Sequence, residues 1–167
     1  MSPPITIICG ATASGKSRVA LELAQKTGAV IVNADSQQMY REFRVLTARP
    51  SEADEVLVPH KLYGILGLHE PCSAGIWLRL ARMEIDWALS LGKPVIVCGG
   101  TGLYLKALMH GIAEVPDVPL EVRAQAESDH AAMGGEAFRA RLAEVDPVLG
   151  AKLHANDPQR LIRAWAV

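Results

Sequence analysis

The 167-residue sequence has few cysteines, few aromatic residues and almost no net charge. Its three cysteines, Cys9, Cys72 and Cys98, are widely spaced, which excludes a disulfide framework, and no Cys-x-x-Cys pair indicates zinc. Cys9 and Cys98 each end an apolar run, so we expect them to be small core residues in a reducing compartment. Only 5% of the residues are aromatic, and we interpret Trp77 and Trp87 as core residues rather than as platforms for stacked bases.

The sequence also has no long hydrophobic run. No stretch approaches the roughly 18 apolar residues of a membrane span, and residues 1–4 lack the basic region of a signal peptide. Half of the residues are hydrophobic, which excludes a disordered chain. Because 17 basic residues stand against 18 acidic ones, a nucleic-acid partner must be held by a local cluster of charge. We expect a cytoplasmic monomer with no membrane partner.

Three apolar runs, at residues 5–9, 29–33 and 94–98, predict parallel strands that are covered on both faces. A loop and a helix follow the first run. Between residues 41 and 74 the pattern is weak and indicates only a short strand at 62–66. An amphipathic helix is predicted from 74 to 91, and the residues that share its apolar face are Leu80, Met83, Trp87 and Leu91.

Residues 10–17, Gly-Ala-Thr-Ala-Ser-Gly-Lys-Ser, match the pattern G-x-x-x-x-G-K-[ST] between a predicted strand and a predicted helix. In such a loop, backbone N–H groups surround a phosphate, Lys16 adds a positive charge and the Ser17 hydroxyl can ligate Mg²⁺. The alternative is an ordinary glycine-rich turn. The predicted diphosphate-binding residues are Gly10, Ala11, Thr12, Ala13, Ser14, Gly15, Lys16 and Ser17. Motif and strands together predict an α/β fold, a P-loop NTPase-like parallel sheet flanked by helices.

Two more loops follow the second and third predicted strands, at the sheet edge where ligands of α/β proteins gather. Asp35 follows the second strand, where it fits a general base, a Mg²⁺ ligand or a helix N-cap. Residues 99–102, Gly-Gly-Thr-Gly, follow the third strand and bring the Thr101 hydroxyl to the same edge. The alternative for this second loop is a tight turn, which glycines favour by themselves.

The composition changes after Gly111. Pro116 and Pro119 indicate a linker, and charged helices follow that are broken at 134–135 and at 146–147. Asp157 and Pro158 predict the start of the last helix. We therefore predict a P-loop α/β core over residues 1–112 and a helical insertion over 113–167. The last pattern stops uncapped at Val167, so we expect that further residues complete the core.

Five ordered motifs resemble one family. They are the loop at 10–17, Asp-Ser-Gln-Gln-Met-Tyr at 35–40, Thr-Ala-Arg-Pro at 47–50, Gly-Gly-Thr-Gly-Leu-Tyr at 99–104 and Asn-Asp-Pro-Gln-Arg-Leu-Ile-Arg at 156–163. Together they are similar to the motifs of the tRNA dimethylallyltransferases, which modify the adenosine beside the anticodon. The resemblance implies transfer of a dimethylallyl group from dimethylallyl diphosphate to N6 of adenosine 37, giving N6-isopentenyladenosine and diphosphate, with Mg²⁺ as cofactor.

The same resemblance implies a role for each site residue. Asp35 would be the general base at N6, Thr101 would position the substrates, and Lys16 would neutralise the leaving diphosphate together with Ser17 and its metal. The residues that would contact the anticodon stem-loop of tRNA are Asp35, Ser36, Gln37, Gln38, Thr101, Arg123, Gln159, Arg160, Leu161, Ile162 and Arg163. A solvated helix face is the alternative for the helical members of this set, and for Arg123 above all.

Several positions depart from the family pattern. Arg49 stands where lysine is common, Trp77 stands where phenylalanine is usual, and residues 72–77 lack the aspartate of the corresponding motif. The main alternative function is a small-molecule or nucleoside kinase, which would use the same loop for ATP. A second alternative is a catalytically silent fragment, because family members continue well beyond this point.

Overall fold

The computed structural model describes residues 3–112 and 118–167. The chain divides into two compact units, residues 1–112 and 113–167. The expectations for residues 1–2 and for Pro116 lie outside the described part of the chain.

The first unit is built on a four-stranded sheet in which every pairing is parallel. Its strands are β1 (Ile5–Cys9), β2 (Val30–Asn33), β3 (His60–Lys61) and β4 (Val95–Gly99), in the order β1-β4-β2-β3. The helices of this unit are α1 (Lys16–Thr27), α2 (Glu52–Leu57), α3 (Ala74–Ser90) and α4 (Gly102–His110). This arrangement confirms the predicted P-loop NTPase-like fold.

Hydrophobic clusters cover both faces of the two central strands, because successive side chains of a strand point to opposite faces. On one face Val32 and Val97 pack with residues of α3 and α4. On the other face Ile31 and Ile96 pack with Ala20 and Ala24 of α1. The strands β2 and β4 are buried throughout, so their carboxyl ends are rigid supports for the loops that follow them.

The prediction that all three apolar runs are covered on both faces is wrong for β1. Within residues 3–112, β1 pairs only with β4, and Ile5 at its start is 48% exposed. The prediction of Cys9 as a core residue is wrong for the same reason, since the side chain ends an edge strand and is exposed. Cys98, which ends the central strand β4, is buried as predicted.

Helix α3 confirms the predicted helix but buries a different face. Met83 is 62% exposed and Trp87 is 41% exposed, so the prediction of Trp87 as a core residue is wrong. Trp87 instead lies beneath the Lys61 ammonium group. The buried residues are Ala74, Trp77, Leu78, Ala81, Ile85 and Ala88. This face combines large apolar residues, Trp77, Leu78 and Ile85, with alanines at seven-residue spacing that allow close packing.

The weakly patterned segment between 41 and 74 contains one short helix and one two-residue strand. The predicted strand at 62–66 is wrong, because β3 covers only His60–Lys61 and Leu66 makes an isolated bridge to Tyr40. Helix α2 was not predicted. It begins with a capping box, in which Ser51 and Asp54 bond to each other's backbone N–H groups. The Ser51 hydroxyl and the Ser51 N–H both donate to the Asp54 carboxylate, and these bonds hold its pKa below the usual range.

The second unit consists of helices α5 (Leu120–Val145), α6 (Pro147–Lys152) and α7 (Pro158–Ala166) around a core of Phe138, Leu142 and Leu161. The predicted breaks are confirmed, since Gly134 leaves the helical conformation at φ 77° and Asp146 caps α6. Asp157 also caps α7 as predicted. None of the helices in residues 3–112 and 118–167 has the length and hydrophobicity needed to cross a bilayer.

Candidate active site at the carboxyl ends of the strands

The loop between β1 and α1 has the backbone geometry of an anion nest. Ala13 and Gly15 adopt left-handed conformations, with φ of 62° and 82°. Positive φ at alternate residues turns successive N–H groups toward one concave side of a loop. The Lys16 ammonium group donates to the Ala11 carbonyl at 3.1 Å, which folds its side chain back over the loop.

The N-terminus of α1 adds free donors to this nest. Gly15 is the N-cap and has no side chain to bond the helix, and no acidic residue lies in the first turn. The first N–H groups of a helix lack intrahelical acceptors and carry a partial positive charge. Ser17 lies in this first turn with its side chain exposed. The loop therefore offers donors and positive charge to an anion, as its motif predicts.

Asp35 lies just after β2, and its surroundings orient the carboxylate. Its Oδ1 accepts from the Gln37 N–H at 3.0 Å, which closes a turn of the Asx type before the 3-10 helix Gln37–Met39. Among residues 3–112 no other donor bonds to this carboxylate. Asp35 thus has a capping role through Oδ1, and Oδ2 accepts no hydrogen bond from residues 3–112.

Thr101 joins the loop after β4 to the loop after β2. Its hydroxyl accepts from the Ser36 N–H at 2.9 Å, and its own N–H donates to the Ala34 carbonyl at 3.1 Å. Thr101 is the N-cap of α4, but its side chain makes no capping bond, because the hydroxyl is engaged with Ser36 instead. The residue predicted to position substrates therefore holds the Asp35–Ser36 backbone directly.

Glycines bring the three strand ends together. A methyl group on Gly100 would lie 3.3 Å from the Gly10 carbonyl oxygen and 3.8 Å from Asp35 Oδ2, so this residue separates the phosphate loop from the candidate base. A methyl group on Gly99 would overlap the backbone of Ala34. The close approach of the β4 and β2 ends thus requires glycine at 99.

The buried thiol of Cys98 reports the charges around this junction. Burial raises the pKa of this thiol, the Lys16 ammonium group lowers it and the Asp35 carboxylate raises it, and the combined result is a pKa of about 11. Cys98 is therefore a neutral thiol at physiological pH. The opposing effects of Lys16 and Asp35 show that the positive loop and the negative carboxylate both lie within electrostatic range of the end of β4.

The sequence did not predict the role of Asn33, the last residue of β2. Asn33 is the one buried residue with a polar amide or charged side chain among residues 3–112 and 118–167, and its side chain bonds both polar groups of the Asp35 backbone. The Trp77 indole N–H donates to the Asn33 carbonyl at 2.8 Å and the indole stacks on Tyr104. An asparagine that ends an apolar strand two residues before an aspartate is a recognisable Asx-turn signal.

The predicted tRNA contacts of the first unit differ in exposure. Gln37 is exposed, whereas the Gln38 side chain is half-buried and donates to the Thr47 carbonyl at 2.8 Å. Arg49, the departure from the family pattern, is 9% exposed and pairs only with Glu55, at 3.9 Å, among the described residues. A methyl group on Gly64 would overlap the Arg49 guanidinium, so these two positions depend on each other.

The predicted tRNA contacts of the second unit lie on α5 and α7. Gln159, Arg160 and Arg163 are exposed on α7, and Ile162 is half-buried. Leu161 is fully buried against Phe138 and Leu142, so its side chain forms the core of this unit and is not free to contact RNA. Arg123 is exposed and pairs with Glu127 at 2.9 Å, as in a solvated helix face.

Comparisons with known proteins agree with the motifs. The IPP transferase family model matches residues 38–167, and the isopentenyl transferase model matches residues 3–65. The tRNA dimethylallyltransferase of Phenylobacterium zucineum is 52% identical over 167 residues, which cover 100% of this chain and 54% of the relative. That of Rhodospirillum rubrum is 49% identical, over 99% of this chain and 51% of the relative. The chain thus spans about half the length of the curated relatives it matches.

Solved structures show the same relationship. The full-length tRNA isopentenylpyrophosphate transferase of Bacillus halodurans superposes with a TM-score of 0.64 at 30% identity, over 98% of this chain and 54% of that one. A eukaryotic dimethylallyltransferase acting on tRNA superposes with a TM-score of 0.77 over 98% of this chain and 40% of that one, and its 24% identity shows the fold alone. With one family model matching most of the sequence, and the phosphate loop, Asp35 and Thr101 gathered at one sheet edge, the chain belongs to the IPP transferase family.

Proposed function

We propose that this chain carries the diphosphate-binding and proton-accepting site of a tRNA dimethylallyltransferase. The reaction transfers a dimethylallyl group from dimethylallyl diphosphate to N6 of the adenosine at position 37, next to the anticodon. A tRNA substrate implies a cytoplasmic location. The observation that supports this proposal best is the junction at Gly100, which lies between the phosphate loop and Asp35 Oδ2.

The chemistry divides between the two sides of this junction. The C–O bond of dimethylallyl diphosphate breaks as the bond between its C1 and the adenine N6 forms, and the N6 proton passes to Asp35. Diphosphate leaves with growing negative charge, which Lys16 and the N-terminus of α1 are suited to stabilise. Asp35 Oδ2 accepts no hydrogen bond from residues 3–112, so it is suited to accept the proton.

The residues present fit Mg²⁺ bound mainly through substrate. Among residues 3–112 and 118–167 there is no cluster of three or more His, Cys, Asp or Glu side chains that could hold a metal. Mg²⁺ needs few protein ligands when substrate phosphates and water complete its shell, and the exposed Ser17 hydroxyl beside the phosphate loop is a suitable one. When bound there, Mg²⁺ would neutralise charge on the diphosphate.

The exposed polar residues of α7 support a tRNA contact as part of the proposal. Arg160 and Arg163 suit phosphates or stacked bases, and Gln159 suits a base edge. Extruding adenine from the anticodon stack costs a few kcal/mol, which contacts to the flipped base and its neighbours must offset.

Ligand choice tests the nature of the phosphate site. Dimethylallyl diphosphate with Mg²⁺ at about 100 times its Kd should stabilise the fold by about 2.7 kcal/mol, which raises Tm by roughly 5–10 °C for a domain of this size. ATP at the same concentration should have little effect. Stabilisation by ATP and not by dimethylallyl diphosphate would instead identify a kinase site.

Single-turnover transfer tests the reaction itself. The chain, in excess over a radiolabelled anticodon stem-loop with adenosine at position 37, should form N6-isopentenyladenosine when dimethylallyl diphosphate and Mg²⁺ are added. A stem-loop with guanosine at 37 is the matched control, because it lacks the N6 amine. No product at high protein concentration would show that this chain is catalytically silent.

A further inference from the structure

The buried amide of Asn33 is bonded in a way that fixes one residue of the site. Asn33 is 0% exposed at the carboxyl end of β2. Burying an amide in a protein core is unfavourable unless its polar atoms find partners. An apolar residue at this position would pack in the core without the cost of burying an amide. Packing alone therefore does not explain why asparagine stands here.

The partners of this amide are concentrated on Asp35. Asn33 Oδ1 accepts from the Asp35 N–H at 2.8 Å, and Nδ2 donates to the Asp35 carbonyl at 2.9 Å. Nδ2 also donates to the Leu62 carbonyl at 3.0 Å. One side chain therefore holds both backbone polar groups of Asp35 and ties them to the neighbouring segment.

The conformation of this backbone fixes the orientation of the Asp35 carboxylate. With the Asp35 N–H held by Asn33 and the Ser36 N–H held by Thr101, the Gln37 N–H is left to bond Asp35 Oδ1. Three successive N–H groups are thus bonded by three side-chain oxygens. Oδ2 is left near Gly100, on the side of the phosphate loop.

We propose that Asn33 is a positioning residue that aims Asp35 Oδ2 at the proton it accepts. This inference rests on the proposed function. It assigns to Asn33 no contact with substrate, because the side chain is enclosed behind Asp35. Misplacing a catalytic group by about 1 Å can cost on the order of 10²-fold in rate, so the effect should appear in the chemical step rather than in substrate binding.

Three variants separate positioning from general stability. Asn33→Ala removes all three hydrogen bonds. Asn33→Ser keeps a shorter oxygen that can accept from the Asp35 N–H, so it should rescue part of the effect. Val32→Ala is the matched control, because Val32 is also 0% exposed on β2 but its side chain has no polar contact with Asp35.

The kinetic experiment measures the single-turnover rate and the Kd for dimethylallyl diphosphate, well below the unfolding temperature of every variant. Asn33→Ala should lower the rate roughly 10- to 100-fold and leave Kd nearly unchanged, Asn33→Ser should lie between, and Val32→Ala should match the wild type. Equal losses in Asn33→Ala and Val32→Ala would overturn the proposal. If Asn33→Ala does not fold, the single-turnover rates of Asn33→Ser and Val32→Ala are compared instead. Equal rates in these two variants would then overturn the proposal.

A second measurement does not depend on activity. The carboxyl carbons of ¹³C-labelled aspartate can be followed by NMR at one fixed pH, with Asp35→Asn assigning the Asp35 signal. The Asp35 signal should shift in both Asn33 variants and not in Val32→Ala. An unmoved Asp35 signal would refute positioning, whereas an inactive wild type whose Asp35 signal responds to Asn33 would refute the proposed function alone.

Discussion

Lys16 makes the most direct prediction at the scale of single residues. In Lys16→Met the phosphate loop loses its ammonium group but keeps the helix N-terminus. A charged hydrogen bond contributes about 1.5–3 kcal/mol, so the affinity for dimethylallyl diphosphate should fall roughly 10- to 150-fold. Calorimetric titration measures this affinity. Lys26→Met, in the last turn of the same helix, changes the net charge equally and should bind like the wild type.

Asp35→Asn separates proton transfer from diphosphate binding. The amide oxygen of asparagine can keep the bond from the Gln37 N–H, so the loop should keep its conformation. Loss of a general base should lower the rate of prenyl transfer on the order of 10²- to 10⁴-fold. The Kd for diphosphate should barely change, and a simultaneous loss of binding would show that Asp35 holds metal or structure instead.

The sequence predicted those candidate site residues that belong to a short local motif. The loop at 10–17 matched a pattern with a known physical cause, and Asp35 and Thr101 followed predicted strands. Asn33 was missed because only its complete burial shows that its bonds to Asp35 matter, and that burial depends on distant residues such as Leu62 and Trp77. Leu161 was placed among the RNA contacts because its motif was considered without the burial of each position.

At the scale of elements, the junction of β2 and β4 depends on Gly99. A methyl group there would overlap the Ala34 backbone, which cannot rotate away as a side chain can. Gly99→Ala should therefore destabilise the fold by about 1–3 kcal/mol, the usual cost of overpacking. Urea unfolding measures this change.

Gly102→Ala is the matched control for Gly99. Nothing lies within 4 Å of a methyl group at 102, which is the first residue of α4. Alanine restricts the unfolded chain and favours helix, so this variant should be neutral or more stable by up to about 1 kcal/mol. Equal destabilisation by both substitutions would contradict the close contact of the two strand ends.

The orientation of α3 can be tested by substitutions on its two faces. Ala81 is 0% exposed against the sheet, whereas Met83 is 62% exposed. Ala81→Leu should destabilise the protein by about 1–3 kcal/mol because the helix cannot move outward without loss of packing. Met83→Ala should change the free energy of unfolding by less than about 0.5 kcal/mol. Urea unfolding measures both changes. A larger destabilisation by Met83→Ala than by Ala81→Leu would show that the face predicted from the sequence is the buried one.

Element boundaries were easier to predict than element faces. Asp146 caps α6, and Asp157 caps α7, as predicted, because caps act within a few residues. The buried face of α3 was mispredicted because the helix has large apolar residues on two faces, and their spacing does not show which face packs on the sheet. The two-residue strand β3 is too short to show an alternation of apolar and polar residues. Its place in the sheet depends on its pairing with β2.

At the scale of the whole molecule, the even charge balance limits what the chain can do alone. From 121 to 167 there are six lysines and arginines against seven aspartates and glutamates. Phosphate contacts by basic residues dominate nucleic-acid affinity, so this stretch carries no excess of positive charge that would attract a nucleic acid. Among residues 3–112 and 118–167, the edge strand β1 pairs with β4 alone, so its other side carries unpaired backbone N–H and C=O groups.

The buried thiol of Cys98 makes stability depend on pH. Its pKa is about 11 in the fold and 9.0 as the ordinary value, so the folded chain keeps a proton that the unfolded chain has released. The stabilising contribution is complete below pH 9 and is lost as pH rises toward 11. Burial raises the pKa values of Tyr63 and Tyr104 as well, but their ordinary value of 10.0 places their effect higher. Between pH 9 and 10, Cys98 therefore contributes more of the loss than either tyrosine does.

Urea unfolding across this interval measures the effect. The free energy of unfolding of the wild type should fall between pH 9 and 10, and Cys98→Ala should flatten that slope even though it removes packing volume at every pH. Cys9→Ala is the control, because Cys9 is exposed and should leave the slope unchanged. A slope that persists in Cys98→Ala would assign the loss to another group, and Cys98 would then not report the charges of Lys16 and Asp35 at the site.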